Sequence, residues 1–393
     1  MTARCPACAA SDLRGFHTAA GVPTNSCLLL GDASEARAFP TGRLDLAYCA
    51  ACGFITNRAF DTRLAEYSGR YEETQGFSPR FVDFGRDLAK SWIERYDLHG
   101  RHVLEVGCGK GEFLVWLVEA GAGSGTGVDP GVHPERLEGA SADQIEWVAD
   151  FYDERWAGFE ADALVCRHTL EHIYPVGDWL RMIRDNLGER SDTVVLFELP
   201  DVTRVLEEVA FWDVYYEHCA YFSAGSLARL FRRCGFEVLD VSLAFDDQYL
   251  LLEARPASRS ASAEPLPIED DLDRLALGVT TFQEGVTATL TRWRRELRAV
   301  ASGGGRVVLW GGGSKAVAFL TGLDVGGDVA GAVDINPHKQ GRFIAGSGHQ
   351  VLAPGELRGL RPELVVAMNP VYLDEIRRSL DNLGLGETRL VAL

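Results

Sequence analysis

The chain has 393 residues, 46% hydrophobic and 24% charged. That is enough apolar material for sizeable cores and too much length for one typical domain, so two or three are expected. Its 39 Lys and Arg against 57 Asp and Glu give a formal net charge of −18, a poor match for nucleic acid or anionic membrane, where phosphate contacts supply most of the affinity. No apolar run approaches the roughly 20 residues that span a bilayer, and the first residues lack the apolar core of a signal peptide. A cytoplasmic protein is expected.

Nine cysteines are unevenly placed. Cys5 with Cys8, and Cys49 with Cys52, form two C-x-x-C pairs, while Cys27, Cys108, Cys166, Cys219 and Cys234 stand alone. In a reducing compartment the paired ones point to metal rather than disulfides. Each pair offers two thiolates from one tight turn, and two pairs complete a closed tetrahedral zinc site, hence a structural one. Four buried thiols are the alternative; a nucleic-acid-binding ribbon would need a basic patch that the intervening stretch lacks. Residues 44–48 read as a β insert in a zinc-binding domain of 1–75. Tyr67 and Tyr71 follow among polar residues, either a lid over a cofactor or a solvated loop packed on the helix predicted over 79–96.

The apolar run Val103, Leu104, Glu105, Val106 predicts a buried parallel strand. It breaks into Gly107, Gly109 and Gly111, with Phe113, Leu114, Trp116, Leu117 and Val118 behind at helical spacing. The element is strand, glycine turn, helix: the glycines admit a ligand close to the backbone, and the helix N-terminus offers free N–H groups. A second strand ends at Asp129, an acid that can accept hydrogen bonds from a ribose diol. A dinucleotide-binding unit is the rival, but the spacing is G-x-G-x-G rather than G-x-G-x-x-G, and Glu105 precedes the first glycine. The pattern E-x-G-x-G-x-G followed by Asp129 resembles the class I S-adenosylmethionine (SAM) methyltransferases. Asp150 and Phe151 follow the run 145–149, where an acid and an aromatic would hold the adenine, and a fourth strand over 163–166 leads into Arg167 and His172. The resemblance implies SAM held by Glu105, Gly107, Gly109, Gly111, Phe113, Asp129, Asp150, Phe151 and Arg167, with Tyr71 from the lid. Further strands over 193–199, 236–242 and 249–254 alternate with helices, so the methyltransferase domain, 76–255, is expected to be a doubly wound, Rossmann-like α/β sheet.

Inside that domain, 211–223 is dense in groups that move protons: Tyr215, Tyr216, Glu217, His218 and Tyr221. Ser223 reads as the N-cap of a helix over 225–234. Glu217 and His218 then sit on a loop beyond the fifth strand, on the carboxyl side of the sheet where catalytic groups gather; a satisfied structural histidine is the plainer alternative. Residues 256–302 read as a Pro/Ser/Ala linker and a long amphipathic helix stopped by Gly303, Gly304 and Gly305. A C-terminal Rossmann-like α/β domain, 303–393, opens with a strand over 306–310 and the turn Gly311, Gly312, Gly313, Ser314, Lys315, and later strands end at Asp334 and Ala367. Its glycines and Lys315 either cradle a phosphate or belong to a domain that only packs; the G-x-x-x-x-G-K spacing of a P-loop is missing.

In this order the pieces resemble one family, the sugar C-methyltransferases acting on deoxythymidine-diphosphate-linked keto-sugars, over nearly the full length. The specific marks are Cys5, Cys8, Cys49 and Cys52; Glu105 through Gly111; His172; Tyr215, Glu217 and His218; and the segment 334–341. The resemblance implies that His218 removes the α-proton, that Glu217 orients its ring or binds substrate, and that Tyr215 and His172 stabilise the enolate oxygen, with no catalytic metal. Tyr216, Tyr221, Gly311, Gly313, Lys315, Asp334 and Lys339 would surround a nucleotide-linked sugar. Two segments depart from the family, 245–250 and 167–171, both where substrate would be met. An O- or N-methyltransferase on another sugar or polar metabolite, and a scaffold that binds SAM or a nucleotide-sugar without chemistry, are the alternatives. The oligomeric state stays open, a monomer included.

Overall fold

The computed structural model describes residues 4–28, 30–65, 67, 70–137, 139–258 and 264–393. Ser68 and Gly69 of the candidate lid, 259–263 of the expected linker and the first three residues lie outside the described residues. Among the described residues, no helix is long and apolar enough to cross a membrane.

The N-terminal part is antiparallel: β1 (Leu13–Pro23), α1 (Ala33–Arg37), β2 (Thr41–Cys49) and β3 (Ile55–Asn57). β1 pairs along all of β2, Leu13 opposite Cys49 and Pro23 opposite Thr41. The insert expected over 44–48 is therefore the middle of a larger sheet. Next, α2 (Pro79–Arg95) starts at the Ser78 cap with Pro79 in its first turn, where a missing N–H costs nothing. It buries Phe81, Leu88, Trp92 and Ile93, and Gly85 lets the Trp116 ring lie against its backbone.

The central domain comprises β4 (His102–Val106), α3 (Glu112–Glu119), β5 (Ser124–Val128), β6 (Ile145–Val148), β7 (Ala163–Arg167), α4 (Val176–Leu187), β8 (Val194–Pro200), α5 (Val202–Glu207), β9 (Ala220–Tyr221), α6 (Ala224–Arg233), β10 (Phe236–Ala244) and β11 (Tyr249–Pro256). Seven of its strands form one sheet in the order β10-β11-β8-β7-β4-β5-β6. β4 to β8 are parallel, and β11 runs antiparallel to both neighbours. β7 and nearly all of β8 are buried along their length, as strands covered on both faces must be. The strand order reverses between β4 and β7, which opens a crevice beyond their carboxyl ends.

After α7 (Leu272–Ser302) come β12 (Val307–Trp310), α8 (Ser314–Leu323), β13 (Gly331–Val333), β14 (Val351–Leu352), α9 (Leu357–Leu360), β15 (Leu364–Ala367), α10 (Leu373–Asn382) and β16 (Arg389–Ala392). The strands form a parallel sheet, β14-β13-β12-β15-β16, reversing between β12 and β15.

The three sheets interlock. β9 leaves the central domain and pairs with β3, as the fourth strand of the N-terminal sheet. α7 is no detached spacer, since its buried Leu275, Phe282, Trp293 and Leu297 share one core with Leu46 and Ile55 of the first sheet and Phe319 of α8. The departing segment 245–250 forms the third junction. Phe245, Asp246 and Asp247 are consecutive non-glycine residues at φ 53°, 54° and 57°, a strained conformation that delivers Gln248 to a reciprocal amide pair with Asn369, 3.0 Å in each direction. Tyr216 belongs to this joinery and not to a substrate site. It is fully buried, its ring fills the space above Gly42, and its hydroxyl accepts from the Asp61 N–H at 2.9 Å. Tyr216→Phe is expected to lower unfolding free energy by about 1 kcal/mol, one neutral hydrogen bond, read from urea denaturation. Methyl transfer by that variant should stay within twofold of wild type.

Candidate functional site

One cavity of about 540 Å³ lies where the carboxyl ends of the central and C-terminal sheets face each other. On its central wall, Gly107, Gly109 and Gly111 adopt φ of 71°, 55° and 90°, conformations that glycine reaches without strain. A Cβ at Gly107 would overlap Thr169, one at Gly111 would overlap the Trp147 ring, and one at Gly109 would meet the Glu73 carboxyl, so the turn is closely packed and takes only glycine. Asp129 braces it, accepting from Gly109 N–H at 3.1 Å and Gly131 N–H at 2.6 Å. Asp150 and Phe151 line the rim, with Phe151 58% exposed. Phe113 stacks under the Arg167 guanidinium at 3.9 Å. Arg167 itself is spent on a bidentate pair with buried Glu198, at 2.9 and 3.0 Å, so it shapes the wall more than it offers a free cation.

Three carboxylates on this cavity each keep one buried oxygen with no hydrogen-bond partner: Glu73, Glu105 and Glu171. Burial raises the Glu105 carboxyl to about 8 and the Glu73 carboxyl to about 7. Orphaned buried acceptors are costly, and they match a ligand that brings positive charge or donors. SAM, with an ammonium, a sulfonium and a ribose diol, is such a ligand, and the residues present fit it.

The same cavity carries the proton-moving groups. His218 lines the cavity, its ring 4.5 Å from Tyr215 and 4.7 Å from His172, and it makes no hydrogen bond to the described residues. Burial, with His172 beside it, drives His218 down to about 3, so the ring is neutral. His172 places Nδ1 between the Tyr67 hydroxyl, 2.9 Å, and the Glu217 carbonyl, 3.2 Å; a carbonyl partner puts the proton on Nδ1 and leaves Nε2 as the free atom. Tyr71 donates to Glu217 at 3.4 Å.

Other expected residues are engaged differently. The Glu217 carboxylate lies behind the wall, taken by the Ser26 N–H at 2.9 Å and the Ser26 hydroxyl, so it anchors the loop and does not steer the His218 ring. The Tyr215 hydroxyl donates to Asp213 at 2.9 Å, which leaves it as an acceptor towards the cavity. Lys315 also pairs with Asp213, as does Arg204 at 2.7 Å. Tyr221 gives its hydroxyl to the Tyr215 carbonyl at 3.1 Å. In the C-terminal turn, Asp334 accepts from Gly312 N–H at 2.8 Å and Asn336 N–H at 2.9 Å, the arrangement of Asp129 over again; Gly311, Gly313 and Lys339 line the same cavity. Buried Cys27 also lines it, 3.3 Å from Ser314.

Sequence reasoning missed His168, at φ 48° after β7. Its Nε2 meets Glu198 at 2.8 Å and its Nδ1 lies 3.7 Å from Glu171. Burial would lower its pKa, but Glu171 and Glu198 outweigh burial and raise it to about 9. It missed Asp213 as well, since nothing local marks a carboxylate that gathers a tyrosine, an arginine and a distant lysine.

In the N-terminal part, the two C-x-x-C pairs converge. The four sulfurs lie within 4.8 Å of one another, with Cys5 to Cys52 at 3.8 Å and Cys8 to Cys49 at 3.6 Å.

Residues 78–241 match the methyltransferase domain family, and residues 269–392 match the C-methyltransferase C-terminal domain family. C-methyltransferase NovU of Streptomyces niveus is 26% identical over 383 residues, 91% of this chain and 88% of that protein. Solved structures similar to it include the Burkholderia thailandensis 1,6-didemethyltoxoflavin-N1-methyltransferase with S-adenosylhomocysteine bound, 19% identical over 46% of this chain and 82% of that one, TM-score 0.33. Magnesium protoporphyrin IX methyltransferase of Synechocystis, also with S-adenosylhomocysteine, is 20% identical over 46% and 88%, TM-score 0.34. With its glycine turn and acid at the switch point of this sheet and these two domain matches, the chain is a SAM-dependent methyltransferase. Its C-terminal part matches the C-terminal domain of C-methyltransferases, and over most of its length it is similar to one of them.

The His168 cluster sets a pH dependence. A histidine at about 9 in the folded protein and 6.5 in ordinary surroundings contributes stability that is whole below pH 6.5 and is lost as pH rises through 9. Urea midpoints should fall across that window in wild type, and the fall should flatten in His168→Gln.

Proposed function

We propose that the protein methylates a carbon beside the ketone of a nucleotide-diphosphate-linked keto-sugar, with His218 as the base. The observation that carries this reading is a neutral, unbonded imidazole lining the same cavity as the glycine turn. SAM supplies the methyl group, and its sulfur leaves with the bonding pair. His218 takes the α-proton while the electron pair of that C–H bond moves into the enolate, whose carbon then attacks the methyl. His172 faces the same space through Nε2, which accepts from a substrate hydroxyl. Tyr215 keeps its own proton on Asp213 and accepts from a sugar hydroxyl. The nucleotide end is read onto the C-terminal turn, because Asp334 repeats the acid-and-glycine geometry of Asp129 in the same cavity.

His218→Asn should reduce methyl transfer by at least 10³-fold, roughly the upper range for removal of a general base, with S-adenosylhomocysteine affinity unchanged by calorimetry. In D₂O, wild type with S-adenosylhomocysteine should wash deuterium into one carbon of a thymidine-diphosphate keto-sugar. Wash-in that survives in His218→Asn would move the base elsewhere; no wash-in with any keto-sugar would favour O- or N-methylation.

We also infer that Cys5, Cys8, Cys49 and Cys52 hold a structural zinc. Zn–S bonds of about 2.3 Å in a tetrahedron place sulfurs roughly 3.8 Å apart, which the two measured separations, 3.8 and 3.6 Å, match. Metal analysis should find one zinc per chain, absent from Cys49→Ser. Loss of the metal should lower Tm and, by loosening the sheet that β9 joins, reduce methyl transfer.

A further inference from the structure

Glu171 is the buried cavity carboxylate with no part in the scheme above. It follows β7, in the turn that also carries His168 and His172. One oxygen lies 3.7 Å from His168 Nδ1; the other is buried without a hydrogen-bond partner. Its carboxylate, His172 and His218 each offer an atom within 4.8 Å of the others, and the two rings meet nearly at right angles, 89°. The charged neighbours of His218 are few. Glu171, His168 and His172 face it from the turn after β7, and Asp213 from the segment ahead of β9. Asp213 already carries Lys315, Arg204 and the Tyr215 hydroxyl. Glu171 is thus the anion beside this ring with an uncommitted oxygen.

We propose that Glu171 is the counter-charge for the imidazolium that forms when His218 accepts the substrate proton, a positioning residue that acts through the ring and does not touch the reacting carbon. The proposal rests on His218 being the base. In that step the α C–H bond breaks, its electron pair stays with the substrate, and the proton forms a new N–H on His218. The ring becomes cationic inside a cavity wall that would otherwise penalise it, and the Glu171 carboxylate, with an oxygen within 4.8 Å of a His218 ring nitrogen, is the group placed to receive that charge. His168, clamped between Glu171 and Glu198, holds the carboxylate from the other side.

The test is deuterium wash-in and steady-state kinetics on the full chain, with thymidine-diphosphate keto-sugars as probes and S-adenosylhomocysteine in the cofactor site for the exchange. Glu171→Gln, which keeps the shape and removes the charge, is expected to slow wash-in and kcat by 10- to 100-fold, with KM and S-adenosylhomocysteine affinity within twofold. Glu171→Asp, which restores the charge, should recover at least a third of the loss on a logarithmic scale. Wild-type wash-in that depends on His218 and proceeds unchanged in Glu171→Gln would overturn the proposal while leaving the base intact. Wash-in absent from wild type would remove the base and this proposal with it. Equal losses in kcat and cofactor affinity, unrelieved by Glu171→Asp, would mark a packing role. A second metal per chain, kept by Cys49→Ser and lost from Glu171→Gln, would make the cluster a cation site and overturn it too.

Discussion

The Cys219 carbonyl accepts two hydrogen bonds from β3, from the Thr56 hydroxyl at 2.9 Å and from the Asn57 N–H. The placement of the proton-moving loop depends on this pairing. Glu217 and His218 sit in a stretch with no helix or strand of the central domain to fix it. Chain entropy would leave such a loop mobile. Two residues on, the chain is fixed as β9, one strand of the N-terminal sheet, and Glu217 adds a second anchor by accepting from Ser26. The β-rich domain is in this sense part of the active-site wall. A closed metal site at Cys49, next to the row Tyr48–Ile55–Tyr221, would stiffen the sheet on which His218 is hung.

Charge in the cavity is organised by the same economy. Glu198 is fully buried, and burial alone would raise its pKa; Arg167 and His168 outweigh that and draw it to about 2. Asp213 is likewise brought to about 2 by Lys315 and Arg204 against its burial. These two anions are matched and form rigid struts. Glu73, Glu105 and Glu171 are incompletely matched, each with one buried oxygen lacking a hydrogen-bond partner, and all three border the cavity, as Asp213 does. The lining is acidic, so a cationic cofactor fits where a dinucleotide's diphosphate would meet carboxylates.

Much of this was legible from the residues because the signals are short. Glu105 to Gly111, Asp129 and the C-x-x-C pairs each encode their chemistry within a few positions, and the apolar runs of β4, β7 and β8 read directly as buried parallel strands. What was not legible depends on direction or distance. Tyr216, Glu217 and His218 are adjacent, yet one faces Gly42, one Ser26 and one the cavity; pattern places a loop residue but does not aim it. Lys315 reads locally as a phosphate ligand in a glycine turn, and only the fold reveals that Asp213, 102 positions away, has claimed it. β9 was invisible because a strand of two residues carries no periodicity.

Asp129 and Asp334 make the final point about geometry. Each closes a glycine turn at the switch point of its own parallel sheet, by the same two backbone bonds, and both turns open into one cavity. A two-substrate reaction needs its reacting atoms held within a near-attack distance, and two rigid turns on separate domains achieve that only if the domains are fixed to each other. Asp213 adds to the fixing already given by the core shared through α7 and the Gln248–Asn369 pair. It binds Lys315 at the start of α8, Arg204 of α5 and the hydroxyl of Tyr215, whose ring lies against His218. Any shift of the C-terminal turn therefore pulls on the residue beside the imidazole. One buried carboxylate thus ties the C-terminal glycine turn to the residue beside the His218 ring.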